Sequence, residues 1–134
     1  MIPGIGERPV ADTEWLARYI LRHEYVRSDG SLRPDPFIPY KQVELSVTRH
    51  LGLDEREIWE AGQSVAAATA TALHGRADVQ AHVFARQRLQ VLPKPLGGNL
   101  NHADVVGWPA DKPAQKEIAL LIARAARFTA KPQA

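Results

Sequence analysis

The chain has 134 residues, of which 45% are hydrophobic and 24% charged, which is the composition of an ordinary globular protein with one core. It contains no cysteine, so disulfides and thiolate-bound metal sites are excluded. No apolar run has the length of a signal-peptide core or a membrane span, and we therefore expect a cytoplasmic protein without a membrane partner.

The charged residues are unevenly distributed along the chain. Residues 51–75 carry one basic and four acidic side chains, whereas residues 76–134 carry nine basic and four acidic ones. The net charge of the whole chain is only +2. A basic C-terminal half suits an anionic partner, but its excess is small beside the dense Lys and Arg clusters of dedicated nucleic-acid-binding proteins.

The N-terminal part is predicted to begin with a flexible arm. Residues 1–10 contain two Pro and two Gly, which favours irregular backbone. The apolar spacing over residues 15–20 predicts a helix that ends near His23, with a strand over residues 15–21 as the alternative. A Ser-Asp-Gly-Ser turn follows at residues 28–31.

The next segment is predicted to be extended. Three prolines keep residues 32–40 extended and exclude them from a central strand. Strict alternation then predicts a half-buried strand over residues 43–49, because Val43, Leu45 and Val47 point to one side and the polar residues between them to the other.

A helix is predicted to begin after residue 54. Asp54 and Glu57 have the spacing of a capping box, and Gly75 supplies a C-terminal stop. The apolar stripe of this helix is made mostly of small side chains, which implies close packing against another backbone. Its members are Ile58, Gly62, Val65, Thr69 and Leu73.

Three short strands and a helix are predicted for the C-terminal half. A loop over residues 93–101 precedes the third of these strands. The final helix begins near residues 111–113, and its apolar face continues to Phe128. The predicted strands cover residues 78–84, 89–92 and 103–106.

This order of elements predicts an α+β fold. We expect a single compact domain over residues 11–129, followed by a flexible tail over residues 130–134. About three helices would pack on one face of a small, mainly antiparallel sheet.

The basic residues favour arginine over lysine. Arg accounts for twelve of the seventeen, and its planar fork of donors suits phosphate and carboxylate groups. Arg22, His23, Arg27 and Arg33 flank one turn, in which Ser31 adds a hydroxyl donor, and this grouping predicts a phosphate site. The alternative is a solvated helix end whose cations complement the helix dipole.

A second candidate site lies at the end of the strand predicted over residues 43–49. Ser46, Arg49 and His50 would present a hydroxyl, an oxyanion-stabilising cation and a general base to one pocket. No Gly-x-Ser-x-Gly signature surrounds Ser46, which argues against this residue as a nucleophile.

Two further candidates lie at other element boundaries. Arg76 follows a glycine, and it would either project into a cleft or pair locally with Asp78. Asn99, Asn101 and His102 follow two glycines, and such a loop would either bind a sugar, a base or a phosphate or simply form a turn.

Standard metal and nucleotide motifs are missing from the sequence. The five His residues form no His-x-x-x-His pair and no His-Glu-x-x-His motif. No Walker loop and no dinucleotide-binding glycine motif follows a predicted strand. The sequence therefore predicts neither a metal site nor a cofactor.

These candidates lead to three functional hypotheses. The first is a small intracellular domain that binds a phosphorylated or otherwise anionic ligand, a nucleotide or nucleic acid, through loop arginines. The second is a metal-independent nucleotide- or RNA-processing enzyme, with His as general acid or base and Arg stabilising an oxyanion. The third is an interaction protein, as an accessory subunit or a homo-oligomer. The predicted ligand contacts are Arg22, Arg33, Ser46, Arg49, Arg76 and Asn101, and the predicted catalytic groups are His23, His50 and His102.

Overall fold

A computed structural model describes residues 5–39 and 43–133 of the chain. In this part of the chain, three α-helices pack against one six-stranded antiparallel sheet of order β4-β5-β2-β1-β3-β6, so the predicted α+β class is confirmed. The strands are β1 (Trp15–Ile20), β2 (Leu45–Arg49), β3 (Gly75–Gln80), β4 (Gln90–Pro93), β5 (His102–Val106) and β6 (Arg127–Ala130), and the helices are α1 (Glu55–Ala68), α2 (Ala81–Arg86) and α3 (Lys112–Ala125).

Strand β1 occupies the segment for which a helix was predicted, so that prediction was wrong and the alternative was right. The physical reason is burial on both faces of the sheet. Leu16 and Ile20 belong to one hydrophobic core, and Ala17 and Tyr19 belong to the other. Apolar residues on both sides of a strand imitate the spacing of a helix over so short a segment.

The helices cover both faces of the sheet rather than one, which corrects the predicted arrangement. Helix α1 packs on one face through Ile58, which shares a core with Tyr19. Helices α2 and α3 pack on the other, where Phe84 and Ile122 share a core with Val79 of β3. We call these two surfaces of the sheet the α1 face and the α2–α3 face.

The predicted capping box of α1 is confirmed, but the helix ends earlier than predicted. Asp54 accepts from the Glu57 amide at 2.8 Å, and the Glu57 side chain accepts from the Asp54 amide. The helix ends at Ala68, because the Thr69 hydroxyl donates to a carbonyl of the last turn and Ala70 has a φ of 53°, in the left-handed region. Gly75 begins β3 instead of stopping the helix.

The C-terminal half differs from prediction at two boundaries. The strand predicted over residues 78–84 is β3 up to Gln80 and then α2. The final helix ends at Ala125, and β6 follows and pairs with β3. Phe128 packs against the core on the α2–α3 face, which is why it continued the apolar pattern of the helix.

Some predicted segments fall partly outside the described residues. This applies to residues 1–4 of the predicted arm, to residue 40 at the end of the proline segment and to residue 134 of the predicted tail. Residues 5–7 form a turn of 3₁₀ helix. Among the described residues, no helix has the length and apolarity needed to span a membrane.

Replacing Gly62 with Ala should destabilise the protein. A Cβ on Gly62 would lie 2.6 Å from the buried Tyr19 ring, whose hydroxyl is fixed by a 2.5 Å hydrogen bond to the Ile58 carbonyl. We expect this overpacking to cost about 1–3 kcal/mol, more than the ~1 kcal/mol that alanine gains over glycine in a helix. Urea unfolding measures the difference.

Gly98→Ala is the matched control for this substitution. A Cβ on Gly98 meets no atom within 4 Å, so its unfolding free energy should stay within about 0.5 kcal/mol of the wild-type value. Equal stability of the Gly62 and Gly98 variants would contradict the close packing of α1 on Tyr19.

Candidate functional site

Two of the predicted site residues meet at the carboxylate of Asp78. Arg76 and Asp78 are two residues apart in β3, so both side chains lie on the α1 face. His50 follows the last residue of β2. Asp78 accepts from Arg76 Nε at 3.0 and 3.1 Å and lies 3.0 Å from His50 Nε2. We call His50, Arg76 and Asp78, together with Glu55 and Trp59, the Asp78 cluster.

Arg76 is held on three sides. Its Nη1 and Nη2 donate to the two oxygens of Glu55 at 2.9 and 2.8 Å, and its guanidinium carbon lies 4.8 Å from the centre of the Trp59 ring. The hydrogen bonds to Glu55 raise the pKa of Arg76 above its usual value, and those from Arg76 lower the pKa of Glu55. The guanidinium is therefore always charged.

The two carboxylates that hold Arg76 differ in their exposure. Only 5% of the Arg76 side chain and 12% of that of Asp78 are exposed, whereas 72% of the Glu55 side chain is exposed. Asp78 thus anchors the inner edge of the guanidinium, and Glu55 closes its outer edge against solvent.

His50 keeps one ring nitrogen available. Its Nε2 is bound to Asp78, its Nδ1 has no hydrogen-bond partner among the described residues, and 22% of the side chain is exposed. A proton on Nε2 that is donated to the carboxylate leaves the lone pair on Nδ1. This is the arrangement by which a carboxylate orients an imidazole for proton transfer.

Tyr19 lies near the cluster without joining it chemically. Burial raises the pKa of Tyr19 to about 12, and its hydroxyl donates to the Ile58 carbonyl. It therefore stays protonated and connects β1 to α1.

Arg49 has a structural position. Its side chain is completely buried and makes five hydrogen bonds, two of them to the Glu14 carboxylate and three to the carbonyls of Gly6, Arg8 and Pro9. These bonds attach residues 6–9, part of the predicted flexible arm, to the end of β2. Because no part of its side chain reaches solvent, we assign Arg49 to folding rather than to ligand contact.

Three other predicted residues gather around Glu24 on the surface. Arg22 and His23 lie 3.7 and 3.3 Å from its carboxylate, and Arg33 Nε donates to its carbonyl at 3.0 Å. All three side chains are exposed, and they form a local surface group that is separate from the Asp78 cluster.

The remaining predicted residues lie around β2 and β5. Asn101 is buried and donates to the carbonyls of Arg49 and Leu51, so it fixes the chain after β2. His102 Nδ1 lies 3.0 Å from the Lys94 carbonyl. Ser46 is exposed and pairs with a residue of β5, outside the Asp78 cluster.

Of the predicted site residues, His50 and Arg76 are thus the two that the structure brings together at Asp78. The sequence indicated Asp78 only as a local partner of Arg76, and neither Glu55 nor Trp59 was among the predicted site residues. In the chain, Glu55 lies 21 positions from its partner Arg76, and His50 lies 28 positions from its partner Asp78. No local pattern signals pairs at such separations.

Comparison of the chain with protein-family models, with curated proteins and with solved structures finds no match. Within residues 5–39 and 43–133, no group of three His, Asp or Glu side chains is placed to hold a metal ion. The function is therefore inferred from the geometry of the Asp78 cluster itself.

Replacing Glu14 with Gln should make the free energy of unfolding depend less on pH in the acidic range. Burial raises the pKa of Glu14, but hydrogen bonds from Arg49 and from the Ala11 amide outweigh it, so the net pKa is lowered from 4.5. A carboxylate with a lowered pKa stabilises the fold fully above its unfolded value, and the stabilisation is lost as the pH falls through the folded value. The variant should lose about 1.5–3 kcal/mol near neutral pH and progressively less below about pH 4.5.

Urea unfolding at several pH values measures this difference. Glu60→Gln is the control, because Glu60 forms an exposed pair with Arg56 and should change stability by less than about 1 kcal/mol. A Glu14→Gln deficit that stays constant from neutral pH to about pH 3 would show that the charge of Glu14 does not stabilise the fold.

Proposed function

We propose that this protein binds a phosphorylated or otherwise anionic ligand at Arg76, and that the anionic group of the ligand takes the place of Glu55. The observation that supports this is the combination of an almost buried guanidinium with an exposed carboxylate on its outer edge. Two parallel N–H donors in one plane match a phosphate or carboxylate group as well as they match Glu55.

The exposure of Glu55 favours its exchange for a ligand. Because 72% of its side chain is exposed, water and salt screen its side of the ion pair, and Asp78 still pairs with Arg76 when Glu55 leaves. Asp78 and Trp59 keep the guanidinium in place when Glu55 moves away, since their contacts are on its other sides. The binding group is therefore oriented before the ligand arrives, which lowers the entropic cost of binding.

A cavity beside Trp59 has room for the body of the ligand. Its volume is about 280 Å³, and it is lined by Trp59, by Lys131 and by the ion pair of Arg56 with Glu60. Trp59 also contacts Arg76, so the cavity adds an aromatic side chain and one further cation near that site. A small ligand with one anionic group and a planar or apolar body fits these features.

The surroundings favour a small ligand over a polyanion. The first turns of α1 carry Asp54, Glu57 and Glu60 besides Glu55. These carboxylates repel a nucleic-acid backbone, which places many phosphates on the surface, more than they repel a single anionic group that pairs directly with Arg76.

Glu55→Gln should strengthen the binding of anions at Arg76. The amide competes for the guanidinium less well than a carboxylate, so the affinity for a nucleoside monophosphate should rise about twofold to fivefold, the equivalent of ~0.5–1 kcal/mol. Arg76→Lys should lower it at least tenfold, or about 1.4 kcal/mol, because the bidentate contact is lost. An NMR titration that follows the Trp59 indole in both variants, and Arg76 Nε–H in Glu55→Gln, measures the two affinities.

Glu24→Gln is the matched control, because Glu24 is also an exposed carboxylate close to an Arg. The affinity of this variant for the nucleoside monophosphate should equal that of the wild type. If Glu55→Gln leaves the affinity unchanged or lowers it, Glu55 is not in the place of a ligand, and the proposal fails.

A second candidate function is supported by His50. An unpaired His50 Nδ1, on a ring that shares the Asp78 carboxylate with Arg76, suits a metal-independent enzyme for nucleotides or RNA, in which His50 transfers a proton and Arg76 stabilises the developing negative charge. In this reading, Asp78 positions both groups through one carboxylate.

His50→Gln should abolish such an activity. With bis(p-nitrophenyl) phosphate or a dinucleotide as substrate, we expect the turnover rate to fall about 10²–10⁴-fold, because general acid–base catalysis contributes that much. His23→Gln is the control, since the His23 side chain is 85% exposed and lies outside the cluster. Equal rates for the wild type and the His50 variant would eliminate His50 as the proton-transfer group and leave binding alone.

A further inference from the structure

One cavity among the described residues lies on the other side of the sheet from Arg76. Its volume is about 460 Å³, and it separates the turn around Gly30 from the last turns of α3. Cavities that bind small ligands have volumes of roughly 300–1,000 Å³. Its lining includes Arg27, Ser31, Leu32, Leu120, Arg124 and Phe128.

Two arginines from distant parts of the chain line this cavity. Arg27 belongs to the turn, and its Nη1 donates to the Leu32 carbonyl at 2.8 Å, which fixes the side chain and leaves its Nε and Nη2 donors available. Arg124 lies in the last turn of α3, is exposed and has no partner among the described residues. The Ser31 hydroxyl adds a third polar group near Arg27.

The floor of the same cavity is apolar. Leu32 and Ala123 belong to the core on the α2–α3 face, and Phe128 packs against that core. Leu120 completes the apolar wall on α3. Cations at the rim and apolar side chains on the floor give the cavity one charged side and one hydrophobic side.

We propose that this cavity is a second binding site, for a small molecule that carries one anionic group on an aromatic or aliphatic body. The anionic group pairs with Arg124 and the free donors of Arg27, and the body covers Phe128 and Leu120. Asp29 accepts from Ser31 beside the turn and adds negative charge, which disfavours a ligand with several phosphates.

The test uses 1-naphthyl phosphate, with 1-naphthol and inorganic phosphate as its two separate halves. The wild type should bind the whole molecule at least tenfold more tightly than either half, with NMR shifts at residues 27–32 and 120–128. Arg124→Gln should weaken 1-naphthyl phosphate about tenfold and leave 1-naphthol unchanged, because it removes one charge-assisted hydrogen bond. Phe128→Leu should weaken both naphthyl compounds.

Arg86→Gln is the control, because Arg86 is also an exposed arginine near the end of a helix but does not line the cavity. Arg76→Lys distinguishes this site from the one proposed at Arg76: it should leave the shifts at residues 27–32 unchanged. Equal affinity of the wild type and Arg124→Gln, or shifts confined to Trp59 and Arg76, would overturn the second site without affecting the first.

Discussion

Strand β1 lies at the centre of the sheet and is buried on both faces, and the layered arrangement of the molecule follows from this burial. Because Leu16 and Ala17 point to opposite cores, each face of the sheet needs its own cover of helices. Helix α1 provides one cover, and its Gly62 allows close approach to Tyr19. The other cover leaves a cavity at the end of α3. The two proposed sites therefore lie on opposite faces.

The two buried arginines, Arg49 and Arg76, differ in whether a partner of the guanidinium group can move away. Arg49 donates to Glu14 and to backbone carbonyls, all within the folded chain, so moving any of them away would leave a buried charge unpaired, at a cost of several kcal/mol. Arg76 is equally charged, but its outer partner Glu55 is 72% exposed, and its inner partner Asp78 does not depend on Glu55. The proposed exchange of a partner for a ligand is therefore assigned to Arg76 and not to Arg49.

The sequence predicted those elements whose signals are local. The capping box of α1, the alternation of Leu45 and Val47 in β2 and the start of α3 at Asp111 depend on residues within a few positions of one another, although β2 begins two residues later than predicted because Val43 has a φ of 58°. Strand β1 was not predicted as the first choice because two-sided burial removes the alternation on which strand prediction relies. Strand β6 was missed because its pairing with β3 is a contact across about 50 positions.

The candidate site follows the same rule. The sequence placed Arg76 and His50 at element boundaries, which is a local property, but their convergence depends on the pairing of β1 with both β2 and β3. The role of Glu55 was hidden because an acidic residue in the first turn of a helix is already explained by the helix dipole. When a local role already explains a residue, nothing in the sequence indicates that it also has a role in the tertiary structure.

The position of Glu55 in α1 also limits what its displacement would do to the fold. The first turn is held by Asp54 and Glu57, whose reciprocal hydrogen bonds do not involve Glu55. When the Glu55 side chain leaves Arg76, it moves into solvent from a position already 72% exposed, and the helix keeps its cap. The proposed ligand exchange at Arg76 therefore requires only a side-chain movement, which takes picoseconds to nanoseconds for exposed residues, and it needs no unfolding of α1.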